Sequence, residues 1–477
     1  MEKIIGRQEE KRILGQALNS ADAELIAVYG RRRIGKTFLI RNYYEKELVF
    51  EFTGVHEASL KTQLYNFSLA LEESMGSNLP LKAPSNWIDA FRMLSNYLKM
   101  KLKKQPIVIL FDELPWICTP RSSFLQAFGH WWNTWASREH LVKVVICGSA
   151  ASGIIKKIVN DRGGLHNRVT QRIRLLPFTL GETELYLKHR GIQLDRYQML
   201  QLYMTTGGIP QYLKQVAKGE SIAQTIDKLC FSQNGLLRNE FDNLYQSLFT
   251  HAENHEAVVR TLSKKASGMS RSEIIKACQF STGGWTTELF DELEQSGFIT
   301  EYIPFGKTQR NSIYKLSDEY TLFYLKFVEG SRATGKGAWL KLSKSAQYLS
   351  WSGFAFEAVC LKHVDQIRQA LGITGIYTEA SSWRHITETG EKGAEVDLLL
   401  DRADHCINLC EIKFSGEKYL IDKSYSKEID HKVQVFKEQS QTRKTIFPTM
   451  ITTYGTIRNT YYTGRIVSEV TMEDLYK

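Results

Sequence analysis

At 477 residues the chain is too long for one ordinary core, and its 43% hydrophobic and 24% charged content is that of a globular protein of about three domains. A formal net charge of +10 favours polyanionic partners, nucleic acid first among them. Seven cysteines with no C-x-x-C pair argue against a disulfide framework or a zinc site, and Cys406 and Cys410 read as buried thiols. The absence of a bilayer-length apolar run and of a signal core at Met1–Arg7 leads to the expectation of a cytoplasmic protein with no membrane partner.

The apolar run Leu25–Tyr29 reads as a strand, and Phe38–Tyr43 as a helix. Between them stands Gly30-Arg31-Arg32-Arg33-Ile34-Gly35-Lys36-Thr37, of the form G-x-x-x-x-G-K-[ST]. Its glycines let backbone N–H groups turn inward onto phosphate oxygens. Lys36 supplies a charge for the β- and γ-phosphates, and the Thr37 hydroxyl is a candidate Mg²⁺ ligand. Strand, glycine loop and helix in that order predict nucleotide binding, with ATP and Mg²⁺ as the expected ligands.

Ile107–Phe111 reads as a buried parallel strand ending in Asp112 and Glu113. Asp112 is expected to hold Mg²⁺ and Glu113 to act as general base on the attacking water. A third strand, Val142–Cys147, ends at Gly148-Ser149; Ser149 is a candidate for sensing the γ-phosphate, and a helix cap is the other reading of the same serine. From Gly181 to about Phe249 apolar residues recur at helical spacing, through Glu182–His189, Tyr197–Met204 and Ile222–Cys230.

Residues 255–327 have the rhythm of a winged helix-turn-helix. Glu256–Leu262 is a first helix, Ser270–Glu273 opens a second as a capping box, and Trp285–Gln295 is the candidate recognition helix. Strands Phe298–Pro304 and Ser312–Leu316 follow, joined by Gly306–Arg310. Glu288, Asp291, Glu292 and Glu294 oppose docking of that helix on phosphates, so protein packing and DNA contact both stay open, with Lys307 and Arg310 available to grip a backbone.

The small, polar stretch around Gly330–Gly337 reads as a linker, and Phe354–Ala370 as one amphipathic helix carrying Glu357. Glu395–Leu400 and Ile407–Lys413, separated by a turn at Asp401–Asp404, predict a hairpin. Because side chains alternate along a strand, Asp397, Glu411 and Lys413 converge if the faces coincide. Asp397 and Glu411 are then candidate metal ligands, with Lys413 beside them to position water for phosphodiester chemistry; the alternative is a solvated salt bridge on a surface strand. Lys418, Lys423, Lys427, Lys432 and Lys437 read either as a wall for a DNA backbone or as a solvated helix face.

These motifs together resemble the archaeal-type P-loop ATPases, an AAA+/STAND-like branch. The resemblance is carried by the entry box Ile5–Glu10, the three arginines of the glycine loop, Asp112–Trp116, Gly148-Ser149 and Gly207–Leu213. It implies an AAA+-like α/β fold with a parallel sheet over residues 1–180, a helical lid at 181–250 and a winged helix at 251–329. A linker at 330–350 and a restriction-endonuclease-like PD-(D/E)xK domain at 351–477 would follow. By the same resemblance Gly164–Arg168 marks Arg168 as an arginine finger or γ-phosphate sensor, although His166-Asn167 replaces the usual tyrosine-glycine pair, and Arg162, Arg172 and Arg174 compete for the role. Glu357 matches the first-helix glutamate of the nuclease superfamily. The implied activity is ATP hydrolysis governing a DNA-directed nuclease-like module; the alternative is a STAND-like switch whose last domain only binds DNA or protein. Homo-oligomers are compatible with both, and a metabolic kinase would leave the lid and hairpin without a role.

Overall fold

Five strands build the first sheet, β1 (Glu24–Gly30), β2 (Leu48–Thr53), β3 (Ile107–Asp112), β4 (Val142–Ser149) and β5 (Gln171–Arg174), of which the central β1, β3 and β4 are buried almost throughout. All six residues of β3 are buried, as a strand covered by helices on both sides requires. The order is β2-β3-β4-β1-β5 and every pairing is parallel. The computed structural model describes residues 3–76, 80–119, 122–149, 167–331, 337–386 and 393–477. One face of the sheet is closed by an aromatic cluster in which Phe50, Phe67, Trp87, Phe91, Phe111 and Phe124 interlock. Parallel order places the strand C-termini, and with them Gly30, Asp112 and Ser149, along one edge.

The chain divides into two compact units. The first holds this sheet, with residues 1–177, 246–250 and 290–297; the second holds 178–245, 251–289 and 298–477. In the second unit the helices Leu180–His189, Arg196–Thr206, Pro210–Leu213 and Ile222–Ile226 follow one another. Thr179 and Ser221 each open a helix with a capping box, which explains two of the starts. Further on, β6 (Met269–Ser270), β7 (Ile299–Tyr302) and β8 (Ile313–Leu316) pair antiparallel in the order β6-β8-β7, and helices Ala252–Leu262 and Arg271–Ala277 belong to the same unit.

The last sheet is mixed: β9 (Thr378–His385), β10 (Ala394–Arg402), β11 (Cys406–Lys413), β12 (Thr445–Thr452) and β13 (Ser468–Thr471), in the order β13-β12-β11-β10-β9. Strands β9, β10 and β11 run antiparallel. The helix Lys423–Ser440 then crosses over, so that β12 lies parallel to β11. Phe436 on that helix packs with Trp383, Val396, Leu399 and Leu409.

Two expectations change here. The helix expected over Phe354–Ala370 begins earlier, at Ala346, and is interrupted at His363, giving Ala346–Lys362 and Val364–Ala370. Its true start is set by the Ser345 side chain, which accepts the Tyr348 N–H. The stretch expected as a linker at 330–350 also contains the helix Ala338–Leu342, whose Trp339 is buried against Phe231, Phe323 and Phe327. Residues 332–336 of that stretch lie outside the described residues. No helix among the described residues is long and apolar enough to cross a membrane.

Candidate functional site

The glycine loop turns through conformations that only glycine or a strained residue accepts, with φ +90° at Gly35 and +69° at Arg33, and Glu113 after β3, with β4 between it and β1, has φ +46°. A Cβ at Gly30 would stand 2.3 Å from the Leu175 carbonyl oxygen, so the loop can leave β1 only through a residue without a side chain. Lys36 is buried, and its ammonium donates to the Gly30 and Arg31 carbonyl oxygens at 3.1 and 3.0 Å. The Thr37 hydroxyl donates to Asp112 Oδ2 at 2.7 Å, and Asp112 Oδ1 accepts the Glu113 N–H at 3.0 Å. A loop hydroxyl and a strand-end carboxylate in contact form a pair of hard oxygen donors, and that donor set suits Mg²⁺.

Burial pushes the Glu113 carboxyl above the usual range; Lys36 and Arg32 oppose the shift and Asp112 adds to it. A carboxyl held in that state is suited to take a proton from water. Ser149 ends β4 directly beside Gly30 in the strand register. Among the loop arginines, Arg31 is buried, Arg32 lies 5.5 Å from the Trp116 ring, and Arg33 is exposed; Ile34 is buried beneath them. Arg7, from the entry box, reaches the Ile34 carbonyl oxygen at 3.4 Å, which ties the box to the loop. Arg168 and Arg172 are exposed, whereas Arg174 donates to the Glu294 carbonyl oxygen at 2.6 Å. Arg162 and the Gly164–His166 part of the arginine segment lie outside the described residues.

The second candidate site lies on β10 and β11. Their register pairs Leu398 with Cys410, next to Asp397 and Glu411 in the chain, and the pairing of β10 with β9 shifts between Val396 and Leu399. A bulge there re-aims the side chain it carries. Asp397 Oδ2 accepts the Ile412 N–H at 3.0 Å. Glu411 is 2% exposed, and both its oxygens accept from the Lys432 ammonium at 2.8 Å while Oε2 also accepts the Tyr425 hydroxyl at 2.8 Å. Lys413 stands further off, 3.7 Å from Glu411 Oε2 and 5.1 Å from the Tyr425 ring centroid. Glu357 is engaged by Lys315 at 2.9 Å. Burial raises the carboxyls of both Glu411 and Glu357; Asp397 adds to each shift, and the lysines oppose it.

Lys432 was expected on a lysine face; instead it is buried as the counter-charge of Glu411. It and Tyr425 are the residues that motif reasoning missed. Their signal is present in the sequence: Tyr425, Ile429, Lys432 and Phe436 fall at helical spacing, so a lysine occupies a position on an otherwise inward face. Glu357, Asp397, Glu428 and Lys432 line a cavity of about 500 Å³. Among the described residues no group of three or more His, Cys, Asp or Glu side chains has a metal-holding arrangement.

A parallel sheet of order β2-β3-β4-β1-β5 with a glycine loop after β1 and an acid after β3 defines a P-loop nucleotide-binding domain. Residues 5–216 match the family described as an ATPase domain predominantly from Archaea. An uncharacterized protein of Methanocaldococcus jannaschii is 23% identical over 424 residues, 87% of this chain and 88% of its own. An uncharacterized ATP-binding protein of the same organism is 42% identical over 46 residues, 10% of this chain and 78% of its own. Among solved structures, the Walker-type ATPase of Pyrococcus abyssi is 16% identical, covering 68% of this chain and 96% of that one at a TM-score of 0.48. The ORC2 protein of Aeropyrum pernix is 12% identical, covering 66% and 91% at 0.36.

Proposed function

We propose that this protein is a Mg²⁺-dependent ATPase whose nucleotide state governs a C-terminal, nucleic-acid-directed module. The observation that carries the reading is the contact of Thr37 with Asp112, made beside a buried Lys36 and a carboxyl-raised Glu113. Thr37 and Asp112 would hold Mg²⁺, which when bound supplies charge stabilisation to the phosphates. Lys36 leaves the loop carbonyls to meet the β- and γ-phosphates, the loop N–H groups cradle them, and Glu113 orients water and receives its proton. Ser149 is placed to orient the terminal phosphate from β4, and Arg168 remains the candidate sensor.

We read residues 251–329 as a winged helix and residues 351–477 as a nuclease-like domain in which Asp397, Glu411 and Lys413 form the site. The helix, antiparallel strands, crossover helix and parallel strand of that domain support the reading by bringing the three to one end of β10 and β11. A metal at Glu411 does not fit as the site stands, because both oxygens are taken by Lys432. That lock favours a second reading, a nucleotide-dependent switch whose last domain binds nucleic acid or protein without cutting. Purified protein with Mg²⁺ or Mn²⁺, with and without ATP, separates them: nicking of DNA or RNA that Asp397→Ala abolishes supports the nuclease, and no nicking under any condition overturns it.

A further inference from the structure

A buried amide holds the turn that carries Glu113. Gln63 sits in the first turn of helix Leu60–Met75, whose Leu64 and Phe67 belong to the aromatic cluster on the first sheet. Its side chain is wholly buried, and both sides of its amide are used. The nitrogen donates to the Val55 carbonyl oxygen at 2.7 Å and to the Trp116 carbonyl oxygen at 2.9 Å, while the oxygen accepts the Val55 N–H at 3.2 Å. Two segments far apart in the chain are thereby joined, the residues that follow β2 and the turn that follows Asp112. Within that turn the Trp116 N–H donates to the Glu113 carbonyl oxygen at 2.9 Å. The Gly54 N–H donates to the Asp112 carbonyl oxygen at 3.0 Å, and a Cβ at Gly54 would stand 2.8 Å from the Glu113 carbonyl oxygen. The Trp116 and His56 rings add an edge-to-face contact, their centroids 5.2 Å apart.

The segment held in this way adds little to the core: Gly54 is buried, but Val55, His56 and Glu57 are exposed. A buried amide is costly unless its groups are paired, and here the pairing orders backbone instead of covering apolar side chains. What it orders is Glu113. At φ +46° that residue occupies a conformation kept only where the surroundings hold it. The carbonyl at the start of its turn rests on Gly54, and the carbonyl at the end is taken by Gln63. We propose, on the reading of Glu113 as the general base of ATP hydrolysis, that Gln63 is a positioning residue for that base. Its hydrogen bonds go to Val55 and Trp116, neither of them in the glycine loop, so it acts through the turn and not on the nucleotide. Proton transfer needs the carboxyl within hydrogen-bond reach of the attacking water, and a displacement of about 1 Å at such a group costs about a hundredfold in rate. An interaction that aims the base belongs to the chemical step, so its loss falls on kcat and not on affinity.

The test is hydrolysis of MgATP by the full chain carrying Gln63→Leu, a change of similar size that removes all three hydrogen bonds. Single-turnover phosphate release is expected to slow about ten- to a hundredfold, with the dissociation constant for MgATP within about twofold of the parent. Gly54→Ala presses a Cβ onto the same turn while leaving Gln63 intact, and it should give the same split; it decides the matter where Gln63→Leu does not fold. The sharper readout is the Glu113→Gln background, in which no base is left to misplace. There Gln63→Leu or Gly54→Ala should slow hydrolysis by less than about twofold, because residues acting as a unit are not additive. Equal losses in both backgrounds, or a loss of affinity that matches the loss of rate, overturn the proposal, since Gln63 would then serve the fold alone. Full hydrolysis by both turn variants while Glu113→Gln is slow also overturns it and leaves the general base in place. Full hydrolysis by Glu113→Gln overturns the reading of Glu113 itself, and with it this role for Gln63.

Discussion

At Gly30 the chain has no space for a side chain, because the Leu175 carbonyl and the Ile34 side chain occupy the position a Cβ would take. Gly30→Ala is therefore expected to destabilise the first unit by about 1–3 kcal/mol through forced displacement of backbone. Urea denaturation of the two proteins measures it, and an unchanged midpoint would show that the loop can move aside. Glu113 presents the opposite case, a residue kept at a cost. Its carboxyl titrates above the unfolded value, so the folded state holds its proton to higher pH than the unfolded chain does. Stability from this group is present below the unfolded value and declines as pH rises through the folded one, which means Glu113 works against folding at neutral pH. Glu113→Gln is expected to raise the melting temperature at pH 7, retain ATP binding and lower hydrolysis by about 10²–10⁴-fold, the usual contribution of a general base. Phosphate release and thermal melting on the same variant decide both halves.

Helix Lys423–Ser440 and strand β11 meet through a buried ion pair in which Glu411 depends on Lys432 and Tyr425. Taking away one partner of such a pair leaves a buried charge uncompensated, a loss of about 3–5 kcal/mol. Lys432→Met should show that loss in chemical denaturation, and adding Glu411→Gln should recover most of it; equal effects of the single and double variants would mean that the pair is not coupled. Lys413 at 3.7 Å is the weaker partner, and Lys413→Met should cost far less. The sequence made the hairpin and its converging acids legible, because strand alternation fixes which residues share a face once two strands are adjacent. The helical spacing of Tyr425, Ile429, Lys432 and Phe436 marks Lys432 as inward, but it does not reveal that its partner is Glu411, 21 positions earlier, since that depends on the crossover helix packing over β11. The glycine loop after β1 and the acid at the end of β3 were legible because each feature is set by a few consecutive residues. The break at His363 and the burial of Trp339 were not, because both answer to partners far away in the chain, Leu180 for the one and Phe231 with Phe323 for the other.

Across the whole molecule, the nucleotide site belongs to the first unit and a proton-sensitive anchor belongs to the second. His363 is buried with its Nδ1–H donating to the Val359 carbonyl oxygen at 2.8 Å, while Nε2 accepts the Leu180 N–H at 3.0 Å at the start of helix Leu180–His189. Only the neutral ring can do both, and burial lowers its pKa from 6.5 to about 4. With the folded value below the unfolded one, the contribution is full above pH 6.5 and is lost as pH falls toward 4, amounting to about 3 kcal/mol at its largest. Nucleotide acts elsewhere: at a hundredfold excess over its dissociation constant it stabilises the unit that binds it by about 2.7 kcal/mol. Scanning calorimetry at pH 7.5 and pH 5, each with and without MgADP, should then resolve two transitions that move independently. Acid should lower the transition of the second unit, and nucleotide should raise that of the first. His363→Gln, which cannot ionise but keeps a donor and an acceptor, should remove the excess acid sensitivity without altering the nucleotide shift. Lys36→Ala should do the reverse, abolishing the nucleotide shift and leaving the acid response intact. A single transition that answers equally to both treatments would mean that the two units unfold as one, and the separation of levers argued from Lys36 and His363 would be wrong.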